Sequence, residues 1–184
     1  MSATNIIEIK NADQIPSAYR GTPIELLLKY QNLNAPHEKY QQAQMLIGMC
    51  IDYRKHLNTP ENFAYMIRSV GANLRMGEFK VAFAVAVGGV STIALIGHTQ
   101  CGMVNLASKK EQFIQGLVDR AGWTRQAAEA HFLQNVALYD IADEADFVHG
   151  EARRLRAIFP KVLIVPMLYR VEDGLLYLIR EDGK

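Results

Sequence analysis

The 184-residue chain predicts a single α/β domain built on a mostly parallel central sheet flanked by helices. Three observations carry this expectation. Short apolar runs of strand length recur at Gln44–Met49, Phe63–Arg68, Thr92–Gly97 and Lys161–Met167. Segments with helical spacing of apolar residues separate them. The run Thr92–Gly97 is nearly continuous in apolar residues, as a parallel strand covered on both faces requires.

Residues 1–22 read as an irregular arm, with Pro16 and Gly21 as breakers. Pro23 suits the first turn of a short helix running to Tyr30, and Asn32–His37 is a loop around Pro36. The first strand is Gln44–Met49, and the second, Phe63–Arg68, follows the Asn58-Thr59-Pro60 turn. Between Gly77 and Gly89, Phe79, Ala82, Phe83, Ala86 and Val87 predict one buried helix face. Gly88-Gly89 stops that helix before the third strand, Thr92–Gly97. Gly102 is expected to open a further helix through Met103, Leu106 and Ala107. Thr124 is a candidate N-cap for a helix with Ala128, His131, Phe132, Asn135, Val136 and Tyr139 on one face. Val148, Ala152, Leu155 and Phe159 align on another helix, which Pro160 ends. The fourth strand is Lys161–Met167. Glu172-Asp173-Gly174 turns the chain into a last strand, Leu175–Ile179, expected at an edge.

Bulk properties exclude several function classes. The chain is 49% apolar with a net charge of +1, so it has no general pull toward nucleic acid or an anionic membrane. Arg153-Arg154-Leu155-Arg156 reads as the solvated face of one helix. The apolar stretch from Val81 to Gly97 is too broken by glycine, serine and threonine to span a membrane. The first residues, Met1-Ser2-Ala3-Thr4-Asn5, lack the features of a secretion signal. A chain with two cysteines and no signal is expected in the reducing cytoplasm, where a structural disulfide is disfavoured.

Those two cysteines are the most informative residues. Cys50 opens Cys50-Ile51-Asp52-Tyr53-Arg54 after the first strand, and His98-Thr99-Gln100-Cys101-Gly102 follows the third. In parallel sheets, ligands bind beyond the carboxyl ends of the strands, where strand order reverses. Two thiolates and an imidazole make three corners of a tetrahedral site with one position open, the pattern of a catalytic metal. Sulfur and nitrogen donors suit zinc better than magnesium or calcium. Zinc lowers the pKa of bound water to about 7, so hydroxide is available at neutral pH. Cys101 lies before an expected helix start, where the macrodipole favours a thiolate. Asp52 and Arg54 lie two apart, and an arginine holds a carboxylate bidentately and ionised. An Asp pinned in this way either accepts a hydrogen bond from the hydroxide or binds the zinc itself. The alternative for the pair is a plain surface ion pair.

Cys50-Ile51-Asp52-Tyr53-Arg54, Ile67-Arg68-Ser69-Val70-Gly71 and His98-Thr99-Gln100-Cys101-Gly102 together resemble the β-class carbonic anhydrases. That family shows C-x-D-x-R, R-N-A-G and H-x-x-C-G in the same order. The resemblance implies a parallel core in order 2-1-3-4 with an added edge strand. It also implies a homodimer or higher oligomer, with residues 1–40 packing on a partner and residues 41–184 forming the catalytic domain. By resemblance, one zinc per subunit falls on Cys50, His98 and Cys101, and Asp52 and Arg54 form the catalytic dyad. Asp52 is a fourth zinc ligand in the closed state known for some members. The implied reaction is reversible hydration of carbon dioxide to bicarbonate by zinc-bound hydroxide, with Gly71 and Gly102 backbone lining the substrate site.

The chain departs from the family at Ser69-Val70, which replace Asn-Ala, and Tyr53 is bulkier than the small residue common there. These changes bear on the substrate pocket rather than the metal. They motivate two alternatives: a carbonyl sulfide or carbon disulfide hydrolase, and an inactive zinc-binding or bicarbonate-sensing protein. His56 is a candidate for proton export, weighed against an ordinary loop histidine; His131 and His149 read as structural or surface residues.

Overall fold

The computed structural model describes residues 6–180, a six-stranded sheet with helices on both faces. The strands are β1 (Ile6–Glu8), β2 (Met45–Met49), β3 (Ala64–Arg68), β4 (Thr92–His98), β5 (Leu163–Tyr169) and β6 (Leu176–Ile179). The helices are α1 (Pro23–Leu33), α2 (Glu78–Ala86), α3 (Lys110–Ala121), α4 (Arg125–Tyr139) and α5 (Glu144–Ile158). Sheet order is β1-β6-β5-β4-β2-β3. β3, β2, β4 and β5 run parallel, while β6 and β1 add antiparallel. The four parallel strands stand in the expected order.

The far edge differs from expectation. Ile6–Glu8, read as part of an irregular arm, pair with Tyr177–Ile179 and form a sixth strand. The last strand is therefore interior rather than an edge. Three residues are too short for periodicity to mark, so only the partner strand defines β1.

Alternation along the strands sorts the core into two layers. Met45, Ile47 and Met49 of β2, with Ala94 and Ile96 of β4, face α1, which contributes Ile24, Leu27 and Leu28. Leu46, Ile93 and Leu95 face the other way, toward Val81 and Ala84 of α2 and Val148, Ala152 and Leu155 of α5. α1 starts where Thr22 caps the Ile24 N–H and Pro23 takes the first turn. Thr124 caps α4 as expected, accepting from Ala127 at 3.2 Å.

Two helical expectations are corrected. α2 buries Val81 and Ala84, while Phe79, Phe83 and Val87 are 83%, 51% and 70% exposed. The small residues face the sheet, where Gly88 already lies against the Tyr65 ring, and the bulky stripe faces outward. Gly102 opens no helix: Asn105 adopts a left-handed φ of 51°, a short 3-10 turn follows at Leu106–Lys109, and α3 begins only at Lys110. Val104 instead bridges Ile141.

Candidate metal centre

β2 is flanked by β3 on one side and β4 on the other, so strand order reverses there. Cys50 is the first residue past β2, and His98 is the last of β4. Adjacent parallel strands bring these two carboxyl ends side by side. Cys101 returns to the same place through a turn in which Gln100 adopts a left-handed φ of 58°. The ligand atoms of Cys50, His98 and Cys101 all lie within 4.8 Å of one another, and all three residues are buried.

Their chemistry fits a cation. His98 Nδ1 lies 3.0 Å from the Thr99 carbonyl, which only accepts, so Nδ1 carries the proton. The lone pair is left on Nε2, which is buried with no partner among the described residues. A buried orphaned nitrogen facing two sulfurs is satisfied by a metal. Both cysteines are free. Cys50 is driven toward the thiolate by the hydrogen bond from Cys101, against burial. That same bond, with burial, pushes the Cys101 thiol up. Gly71, held at a left-handed φ of 63°, directs its N–H at Cys50 Sγ at 3.3 Å. Cys101 is positioned by α5 rather than by a helix dipole: Glu144 Oε1 accepts its backbone N–H at 3.0 Å.

The structure brings Asp52 and Arg54 together. Arg54 Nε and Nη2 donate to Asp52 Oδ1 and Oδ2 at 3.0 and 2.8 Å, a two-pronged grip. The Arg54 guanidinium holds the Asp52 carboxyl well below the usual carboxylate range. Asp52 Oδ2 stands 3.9 Å from His98 Nε2, next to the metal position. Of the two expected pocket glycines, Gly71 is buried with its N–H on Cys50, and Gly102 lies exposed one residue past Cys101.

Sequence reasoning missed the residues behind the dyad. Gln100 accepts from Arg54 Nη1 through Oε1 (3.1 Å) and from Nη2 through its backbone oxygen (3.0 Å). Its Nε2 donates to Glu172 Oε1 at 2.7 Å, while Thr99 Oγ1 donates to Glu172 Oε2 at 2.9 Å. Glu172 thus fixes which end of the Gln100 amide faces Arg54. Gln100 sat inside a visible motif, but nothing local marks Glu172, which belongs to the β5–β6 turn. Two other histidines stand apart: His56 is exposed, with its carbonyl taking a contact from Gln31 at 3.5 Å, and His131 packs on Phe113 and Trp123.

Comparison with known proteins places this geometry. The family model described as carbonic anhydrase matches residues 46–176. No curated protein matches the chain. A β-carbonic anhydrase of Trichomonas vaginalis shares its fold, with TM-score 0.63, 18% identity, and 80% of this chain and 90% of that one covered. A carbonic anhydrase of Glaciozyma antarctica gives TM-score 0.59 at 19% identity, over 88% and 98% of the two chains. A carbon disulfide hydrolase gives 0.56 at 17% identity, over 92% of each. The matched span contains Cys50, Asp52, Arg54, His98 and Cys101, and the chain belongs to the β-carbonic anhydrase family.

Proposed function

We propose that the protein catalyses the reversible, zinc-dependent hydration of carbon dioxide to bicarbonate and a proton. The observation that carries this reading is the orphaned His98 Nε2 between two buried cysteine sulfurs, with the Arg54-held Asp52 3.9 Å away. Zinc on Cys50, His98 and Cys101 would supply a hydroxide at neutral pH and a Lewis acid beside it. Asp52, ionised, offers only acceptors. It would accept a hydrogen bond from an O–H held beside His98 and the two cysteines, and so orient it. Arg54 keeps Asp52 ionised and aimed, and Gln100 with Glu172 keeps Arg54 in place. Gly71 and Gly102, bare of side chains, leave room for a linear substrate. Zinc analysis with stopped-flow CO2 hydration tests the reading. A folded, zinc-loaded protein without hydration activity at pH 8.5 or above refutes it, as does unchanged activity in Asp52→Ala or Arg54→Ala.

A second reading, hydrolysis of carbonyl sulfide or carbon disulfide, is favoured by one observation. Val70 lines an apolar cavity of about 370 Å³ with Met103, Leu106, Phe113 and Phe132, and Met103 packs directly on Gly71. An apolar space against the loop that touches Cys50 suits a linear, sulfur-containing molecule. Turnover of carbonyl sulfide relative to CO2 separates the readings, and a large preference for CO2 removes the second.

The proposal includes a homodimer or higher oligomer. Phe79, Phe83 and Val87 of α2 are exposed, as are Tyr65 and Met66 of the edge strand β3, and a second copy of this chain is the partner these apolar residues suit. Residues 1–40 are proposed to contribute to that contact; within the chain, α1 packs on its own sheet. No helix among the described residues is long and apolar enough to cross a membrane. Two free buried thiols at the site suit a reducing compartment, and we place the protein in the cytoplasm.

A further inference from the structure

Two buried side-chain polar atoms, His98 Nε2 and Lys55 Nζ, have no hydrogen-bond partner among the described residues. A metal accounts for the first. The second belongs to a lysine that is only 1% exposed, one residue beyond Arg54. Lys55 closes the turn that Cys50 opens. Arg68 clamps both ends of that turn, donating from Nη1 to the Cys50 carbonyl at 3.2 Å and from Nη2 to the Lys55 carbonyl at 3.4 Å. The lysine backbone is therefore tied to a ligand cysteine, and its side chain has been taken out of water without a partner. A methionine of similar length would fill the same volume without that penalty.

The surroundings say what kind of partner is missing. An ammonium only donates, so its partner is an acceptor. The charges that act on Lys55 are those of Cys50, Asp52 and Cys101, which attract it, and of Arg68, which repels it. Burial pushes the ammonium below its usual range, and the three anions pull the other way. Two of these anionic groups are already engaged: Asp52 with Arg54, and Cys50 with Gly71 and Cys101.

We propose that Lys55 is a specificity-determining residue of this site, whose ammonium holds a small oxyanion of the bicarbonate class at the metal centre. The proposal rests on the hydration reading above and adds a residue to it. It makes the site a better binder of monovalent anions than the metal and the Asp52–Arg54 pair alone would be.

The test is an equilibrium titration, independent of turnover. Wild-type protein and Lys55→Met are loaded with cobalt in place of zinc, checked for metal content and thermal midpoint, and titrated with thiocyanate and bicarbonate by visible absorption. Anion affinity is expected to fall at least tenfold in Lys55→Met, with metal content unchanged and the midpoint equal or higher. In dehydration assays of the zinc form, KM for bicarbonate rises by a similar factor. A folded, metal-loaded Lys55→Met that binds both anions as tightly as wild type overturns the proposal. If Lys55→Met does not fold, the 15N resonance of the Lys55 Nζ in zinc-loaded wild type supplies the reading: a shift on adding bicarbonate supports the role, and an unmoved resonance overturns it. A wild type that loads no metal overturns this proposal and the hydration reading together. One that loads zinc and hydrates CO2, but shows no effect of Lys55 on anions, overturns only this one.

Discussion

Replacing Gly97 with alanine should damage stability and metal binding together, because one helix serves both. Gly97 is the penultimate residue of β4, and α5 crosses directly over it. A Cβ at Gly97 would stand 2.7 Å from Val148 Cγ2 and 3.2 Å from the Glu144 carbonyl oxygen. Val148 is buried and β-branched, so within a helix it has essentially one χ1 rotamer and no room to turn away. The helix itself must retreat. Overpacking of this kind costs about 1–3 kcal/mol. At roughly 2–4 °C per kcal/mol for a domain of this size, the melting temperature should fall by about 2–12 °C. Retreat of α5 also draws Glu144 from the Cys101 N–H that it accepts at 3.0 Å. Loss of an orienting partner behind a metal ligand typically costs about 10–100-fold in metal affinity, and the lower end is expected here. Calorimetry with and without zinc, and a chelator competition for zinc affinity, measure both effects. Val148→Ala added to Gly97→Ala should recover part of the loss, although Val148→Ala alone leaves a cavity and destabilises. Gly97→Ala that melts within about 1 °C of wild type and binds zinc equally well would show that α5 does not position Cys101.

Four further outcomes are expected. Glu172→Ala frees the Gln100 amide to turn; activity should fall by about fivefold, equivalent to about 1 kcal/mol, while stability changes by less than about 0.5 kcal/mol, as read by stopped-flow kinetics and urea unfolding. Chelation should lower the melting temperature of wild type and zinc should restore it, whereas Cys101→Ser should not respond to either. Burial, followed by the hydrogen bond to Asp173, pushes the Tyr177 phenol up to about 12. A phenol raised on folding stabilises the protein fully below its unfolded pKa near 10 and loses that contribution as pH rises through 12. The difference in unfolding free energy between wild type and Tyr177→Phe should therefore shrink across pH 10–12 by about 2–3 kcal/mol. Glu151 is buried, with both oxygens on Arg154 (2.9 Å each) and one on the Leu74 N–H (3.2 Å). Glu151→Ala leaves that N–H without its partner and Arg154 with Glu78 alone, and should cost about 1–3 kcal/mol in chemical denaturation.

The central parallel strands β2 and β4 were legible because they are buried on both faces and so are written in apolar runs. Met45–Met49 and Thr92–His98 show no exposed residue. The ligand set was legible for the same reason: Cys50 and His98 stand at the ends of such runs, where a parallel sheet collects its site. What lay hidden depends on neighbours remote in sequence. The outward turn of Phe79, Phe83 and Val87 breaks the rule that the bulkier stripe of a helix is the buried one, because Val81 and Ala84 fit against the sheet and the larger residues do not. Periodicity reports that a helix is amphipathic, but not which of two apolar stripes its sheet accepts. Cys101 could be read as a ligand, but its support could not, since Glu144 reaches it from the start of α5. Glu172 likewise reaches the dyad only through Gln100, and Lys55 looks like any loop lysine until its neighbours are known.

The short strand at the far edge has a consequence for how the molecule assembles. Ile6 pairs with Ile179, so this ladder joins segments from opposite ends of the sequence. Closing so long a loop gives no return until nearly all of the chain is available, and contacts of such wide separation form slowly. The pairings of β2 with β3 and β4, which place Cys50 beside His98, draw on a much nearer stretch. Order should therefore spread from the metal-bearing centre of the sheet outward, with β1 the last strand to dock. Hydrogen exchange should find its amides among the earliest to open, while the strands that carry the ligands stay closed.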